Sequence, residues 1–144
     1  MKFKFRLEKA ADVFAQRETA KKMEVATVAK QMEDLKGRLR TVVTENRRLF
    51  EENSQLKTES VAWIKVLTDR VEANLLTMAA IEAEIEQVSE VLEVKKVELR
   101  RISQRKRALE KVREKKFQEF KIEQNRLDQK RLDENYQILS HSKE

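Results

Sequence analysis

One apolar stripe constrains this chain more than any other feature. With Ile64 at heptad position a, the a positions read Ile64, Val71, Met78, Ile85, Leu92, Leu99, Lys106, Arg113, Phe120 and Leu127. The d positions read Leu67, Asn74, Ile81, Val88, Lys95, Ile102, Leu109, Lys116 and Glu123, in one phase without a slip. An apolar repeat averaging about 3.5 residues keeps one stripe on one helix face and requires a partner helix to cover it. The stripe is close to continuous up to Leu109, beyond which d becomes charged. This predicts a partner helix that ends near there.

A second repeat precedes the first. Helical spacing begins near Leu7 with Ala11 and Phe14, and Glu18 and Lys21 then interrupt it. From Val25 it is strict, with Val25, Met32, Leu39, Asn46 and Asn53 at a, and Val28, Leu35, Val42, Leu49 and Leu56 at d. Asn46, Asn53 and Asn74 therefore read as seam residues that fix register at some cost in stability. Gly37 falls at f, where a helix-interior glycine costs about 1 kcal/mol against alanine; it reads as tolerated, not as a break. Extending this phase puts the next a at residue 60, so the register slips by four before Ile64. A stutter within one continuous helix would do this, and so would a short turn at Lys57–Ser60. The fading stripe favours the turn. If the chain reverses near Thr58, residue 58+k faces residue 58−k, and the first arm runs out where the second arm's d positions become charged.

The expectation is an all-α fold: a long antiparallel two-helix coiled-coil hairpin with a longer second helix. It forms a single coiled-coil domain over 1–144, with helix 1 over about 6–56, a turn over about 57–60 and helix 2 over about 61–139. On this reading residues 112–139 face no first-arm partner.

Composition agrees. The 144 residues are 40% charged and include one glycine and no proline, whereas a layered globular fold needs turns and the residues that make them. The absence of cysteine excludes disulfides and thiolate metal sites. His141 is the only histidine, so histidine-based metal or acid–base chemistry has no second member. There is no Gly-rich phosphate loop, and the carboxylates sit at helical spacing beside Lys and Arg, as in solvated pairs. The expectation is a chain that is not an enzyme and holds no cofactor or metal. No apolar run approaches the roughly 20 residues that span a bilayer. Met1 to Leu7 lacks the apolar stretch of a secretory signal. A cytoplasmic protein without direct membrane insertion is expected.

Charge is unevenly placed on this chain of net charge +6. From Val71 to Val94 there are acidic residues and no basic ones, while Lys95 to Lys116 is strongly basic. The basic stretch suits a solvated face, a protein partner with an acidic rim, or nucleic acid, although no aromatic is interleaved to stack bases. Leu76 points away from the seam, with Ala73 and Ala80 beside it and Asp69 and Glu72 around it. That is either an ordinary exposed leucine or a small strip suited to a partner's groove.

The tail from Asn125 to Glu134 is polar on nearly every face. Its Arg126, Asp128, Gln129, Lys130, Asp133 and Glu134, in this order, closely resemble the C-terminal signature of the FliJ family of the bacterial flagellar type III export apparatus. Phe3-Lys4-Phe5-Arg6-Leu7 resembles that family's opening, and Trp63-Ile64 with the helix up to Glu86-Gln87 resembles its second helix. The resemblance implies a non-enzymatic stalk, cytoplasmic and peripherally associated with the inner-membrane export apparatus. Its open end would enter the ring of a hexameric export ATPase (FliI-like), through Arg126, Asp128, Gln129, Lys130, Asp133 and Glu134. Its other implied partners are an export gate protein (FlhA-like), through Asp69, Ala73, Leu76 and Ala80, and export chaperones; nucleic acid is not among them. A basic nucleic-acid-associated coiled coil, a virulence-type secretion stalk and a plain structural coiled-coil oligomer are the alternatives.

Overall fold

A computed structural model describes residues 2–55 and 61–142. They form two helices, α1 (Glu8–Gln55) and the longer α2 (Val61–Ser142). Neither contains proline, and the one glycine, Gly37, keeps an ordinary helical φ. A Cβ built on Gly37 would meet only the far end of Arg40, at 3.8 Å. The first turn of α1 is fixed by the Glu8 amide, which donates to the Phe5 carbonyl at 3.1 Å. The carboxylate of Glu8 also sits where the exposed amides of a helix start favour negative charge.

The helices pair antiparallel, forming the expected two-helix coiled-coil hairpin. Cross-helix ion pairs count down α1 as they count up α2: Glu45 with Arg70, Glu24 with Lys95, Lys21 with Glu98, Glu18 with Lys106, and Glu8 with Arg113. The expected turn at 57–60 lies outside the described residues. The chain divides into two compact units, Ala20–Leu99 and Met1–Thr19 with Arg100–Glu144.

In the Ala20–Leu99 unit the core is one stripe per helix. Val28, Met32, Leu35, Asn46 and Leu49 of α1 and Leu67 and Ile81 of α2 are buried, Ile81 to 2% exposure. Val71, Asn74, Met78, Ile85, Val88 and Leu92 are half-buried at the same a and d spacing. Leu49 shares a groove with Leu67 and Val71, and Asn46 one with Met78. Asn74 holds the d position between Val71 and Met78. The Asn46 Oδ1 and the Asn74 Nδ2 are both buried without a hydrogen-bond partner among the described residues.

The register differs from the expected one by a few residues. A reversal about Thr58 would set Lys21 against Lys95 and Glu18 against Glu98. Instead Lys21 donates to Glu98 at 2.7 Å and to Glu24 at 2.8 Å, and Lys95 reaches Glu24 at 3.2 Å. Like charges held opposite one another cost energy, and the observed offset converts both oppositions into ion pairs. Glu18 and Lys21 therefore do not interrupt the stripe; both are partly buried within it and paired across it.

In the unit of Met1–Thr19 and Arg100–Glu144, contact continues past Leu109. Arg113 meets Glu8 at 3.4 Å, and Phe3 packs on Phe117 and Phe120. This corrects the expectation that residues from 112 onward lack a first-arm partner. The reason is again the register. With Glu8 against Arg113, a residue-for-residue count sets Phe3 against about residue 118, between Phe117 and Phe120, whereas a reversal about Thr58 would set it against about residue 113. Residues 2–5 follow that course as a non-helical segment.

Candidate partner-binding surfaces

The tail is a solvated helix in which only Leu127 is half-buried. Arg126, Asp128, Gln129, Lys130, Asp133 and Glu134 are all exposed on α2. Arg126 forms a two-pronged contact one turn back to Glu123, with Nε to Oε2 at 3.1 Å and a terminal nitrogen to Oε1 at 2.7 Å. These hydrogen bonds, with the charge attraction behind them, raise the Arg126 pKa and hold the Glu123 carboxyl below its ordinary value. The amide of Gln129 reaches Asp133 at 3.5 Å. Asp128, Lys130 and Glu134 form no ion pair among the described residues. Helical spacing spreads these six polar side chains around the helix over about two turns, with exposed charges of both signs.

An apolar feature beside them went unread in the sequence. Leu132, Tyr136, Ile138 and Leu139 are all largely exposed. Leu132, Tyr136 and Leu139 stand at i, i+4 and i+7, the spacing of one helix face. That spacing was the available signal, obscured by the polar residues between.

The second set, Asp69, Ala73, Leu76 and Ala80, is exposed on α2 within the Ala20–Leu99 unit. Leu76 is 75% exposed, and Leu75 and Val66 are also exposed. Apolar surface there is thus broader than the single leucine expected. On α1 of the same unit, exposed Phe50 stands between two grooves of about 410 Å³ and 260 Å³. The first is lined by Val43, Arg47 and Met78, and the second by Leu49, Leu67 and Val71. Phe50 follows the d residue Leu49, and an aromatic just outside the seam was the signal that could have found it.

The basic stretch 95–116 is partly neutralised. Lys95, Lys106, Arg113 and Lys116 each meet a carboxylate, Lys106 meeting both Glu18 at 3.2 Å and Glu110 at 3.8 Å. Around Phe3 lies a cavity of about 830 Å³ formed by residues 2–7 against α2. Among the described residues, no group of three or more His, Cys, Asp or Glu is placed to hold a metal ion, and no helix is long and apolar enough to cross a membrane.

Compared with known families, residues 3–144 match the family described as "Flagellar FliJ protein", essentially the whole chain. No curated protein and no solved structure matches it.

Proposed function

The chain belongs to the flagellar FliJ protein family, and from that premise we propose that it works as the stalk of a flagellar type III export apparatus. In this reading it performs no chemistry. Its open end enters the ring of a hexameric export ATPase and promotes assembly or hydrolysis there. Its acidic, partly apolar region near the start of α2 contacts the export gate, and export chaperones are handed on from the stalk. It acts in the cytoplasm, held peripherally at the inner-membrane export apparatus.

The observation that carries this reading is the tail: a long helix, exposed on every side from Lys130 to Ser142, whose Asp128, Lys130 and Glu134 have no ion-pair partner among the described residues. A helix without a packed face gains little stability by itself, and unpaired charges of alternating sign suit contacts with the loops of a surrounding ring. Arg126, Asp128, Gln129, Lys130, Asp133 and Glu134 are assigned to the ATPase, and Asp69, Ala73, Leu76 and Ala80 to the gate. Pairing of Lys95, Lys106, Arg113 and Lys116 with carboxylates takes cations away from a nucleic-acid reading of the basic stretch.

Amide hydrogen exchange tests the assignment. Residues 124–139 are expected to exchange fast in the free protein and slowly with the ATPase present. Protection confined to residues 20–99 would overturn it.

A further inference from the structure

We propose that the segment Lys2–Leu7, together with the stretch of α2 around Lys116 and Phe120, is a docking surface for anionic phospholipid headgroups. Side chains alternate across an extended chain, and the Lys-Phe-Lys-Phe order turns that alternation into two faces. Phe3 and Phe5 are half-buried against the helix, while Lys2, Lys4 and Arg6 are exposed. Phe3 locks the segment in place, its ring 5.2 Å from that of Phe117 and 5.5 Å from that of Phe120.

Beneath this segment lies a cavity of about 830 Å³ with an apolar wall of Phe5, Leu7, Val112 and Phe120. Its rim is formed by the cations Lys2, Lys4 and Arg6, with Lys116, which is paired with Glu119 at 3.7 Å, and Glu123 also lining it. Cations beside partly exposed apolar groups form the pattern by which a protein lies on a membrane surface: the bases meet headgroups and the apolar groups enter the acyl boundary.

The field around the cavity has the same sign. Residues 1–19 and 100–144 carry 19 basic and 11 acidic residues, a balance of +8. Residues 20–99 carry 13 and 15, a balance of −2, and together these give the chain's +6. Basic residues close to an anionic leaflet each add to the attraction, so a concentrated patch binds far better than the same charges dispersed.

Lipid is favoured over other polyanions on two grounds. Two of the three rim cations, Lys2 and Lys4, are lysines, mobile point charges suited to a diffuse anionic surface rather than the two-pronged recognition of one carboxylate. Single-stranded nucleic acid is bound by stacking bases on free aromatic faces, and here the Phe3 ring is already engaged with two others.

The test is sedimentation of the full chain with vesicles of phosphatidylcholine alone or with about one third phosphatidylglycerol, at low and near-physiological salt. Binding is expected to the mixed vesicles only, and to weaken with salt. Lys2→Glu/Lys4→Glu/Arg6→Glu should lower the partition coefficient by about tenfold or more. Lys30→Glu/Lys36→Glu/Arg38→Glu, with the same change in net charge, should lower it by less than about threefold. The milder Lys2→Gln/Lys4→Gln should fall between wild type and the first triple variant, whatever the reversals do to folding. Equal losses in the two triple variants would overturn the proposal, as would equal binding to neutral vesicles. Capture of a short DNA strand through the same residues, with vesicles ignored, would replace lipid by nucleic acid. No ATPase is present, so failure here leaves the export reading standing.

Discussion

The ring of Phe3 meets that of Phe117 edge-on, with centroids 5.2 Å apart and planes inclined at 66°. The contact ties the non-helical start of the chain to α2. Lys121 lies over the Phe117 ring, 4.7 Å from its centroid, and adds a cation to the cluster. Such aromatic pairs are worth about 0.5–1.5 kcal/mol beyond the area they bury. Phe3→Ala should therefore destabilise the protein by about 1–2 kcal/mol, leave helicity nearly unchanged, and speed amide exchange at residues 5–12. Thermal melting followed by circular dichroism, with hydrogen exchange, measures both. Unchanged exchange there would show that Phe3 anchors nothing.

The two seam asparagines, Asn46 and Asn74, give the second prediction. Each buried polar atom left unpaired costs about 1–3 kcal/mol, and a seam asparagine trades stability for register. Asn46→Leu/Asn74→Leu should be more stable by about 1–3 kcal/mol while losing uniqueness of pairing. Urea denaturation reads the first effect. Cysteines placed at several α2 positions against one on α1 read the second, as a wider spread of intrachain disulfides.

The third concerns pH. Hydrogen bonds from Lys21 hold the carboxyls of Glu24 and Glu98 below their ordinary value of 4.5, and the same bonds raise Lys21 above 10.5. A lowered carboxyl contributes stability above its unfolded pKa and loses it as pH falls through the folded value. A raised ammonium contributes below its unfolded pKa and loses it as pH rises through the folded value. The melting temperature should thus hold steady between about pH 5 and 10 as far as this cluster is concerned, and fall on both sides. Glu98→Gln should lower the plateau slightly and shrink the acid drop. An acid drop of unchanged size in that variant would assign the drop to other carboxylates.

Much of the seam was legible in the sequence. The a and d positions of α2 from Leu67 to Leu109 are all shielded, because an apolar period of about 3.5 residues leaves one way to bury a stripe. The register was not legible. It depends on the reversal between the arms, where no glycine or proline marks a turn, and on Glu18, Lys21, Lys95 and Glu98. A charge at a seam position reads as an interruption until its partner is known. Phe3 was missed for the same reason: counted from a reversal about Thr58 it falls against about residue 113, and only the observed register carries it to Phe117 and Phe120. Among the candidate partner surfaces, the outward direction of Leu76 followed from its f position. The apolar face of Leu132, Tyr136 and Leu139 lay hidden in a stretch whose composition is mostly polar.

A fourth prediction concerns Leu76. Introducing a charge at a contact requires its desolvation. Leu76→Asp should leave helicity unchanged and stability within about 0.5 kcal/mol of wild type, since the side chain is 75% exposed, and should weaken binding to the export gate protein about tenfold or more. Gate binding unchanged in a pull-down would remove Asp69, Ala73, Leu76 and Ala80 from the proposed interface.

The most direct test of the stalk reading is the rate of ATP hydrolysis by the export ATPase from the same cell, with the full chain and with residues 124–144 deleted. The full chain should raise the rate. The truncated chain should raise it little or not at all, while melting within about 1 kcal/mol of the full protein, because a helix without a packed face adds little to global stability. Stimulation by the truncated chain equal to that of the full chain would contradict the account.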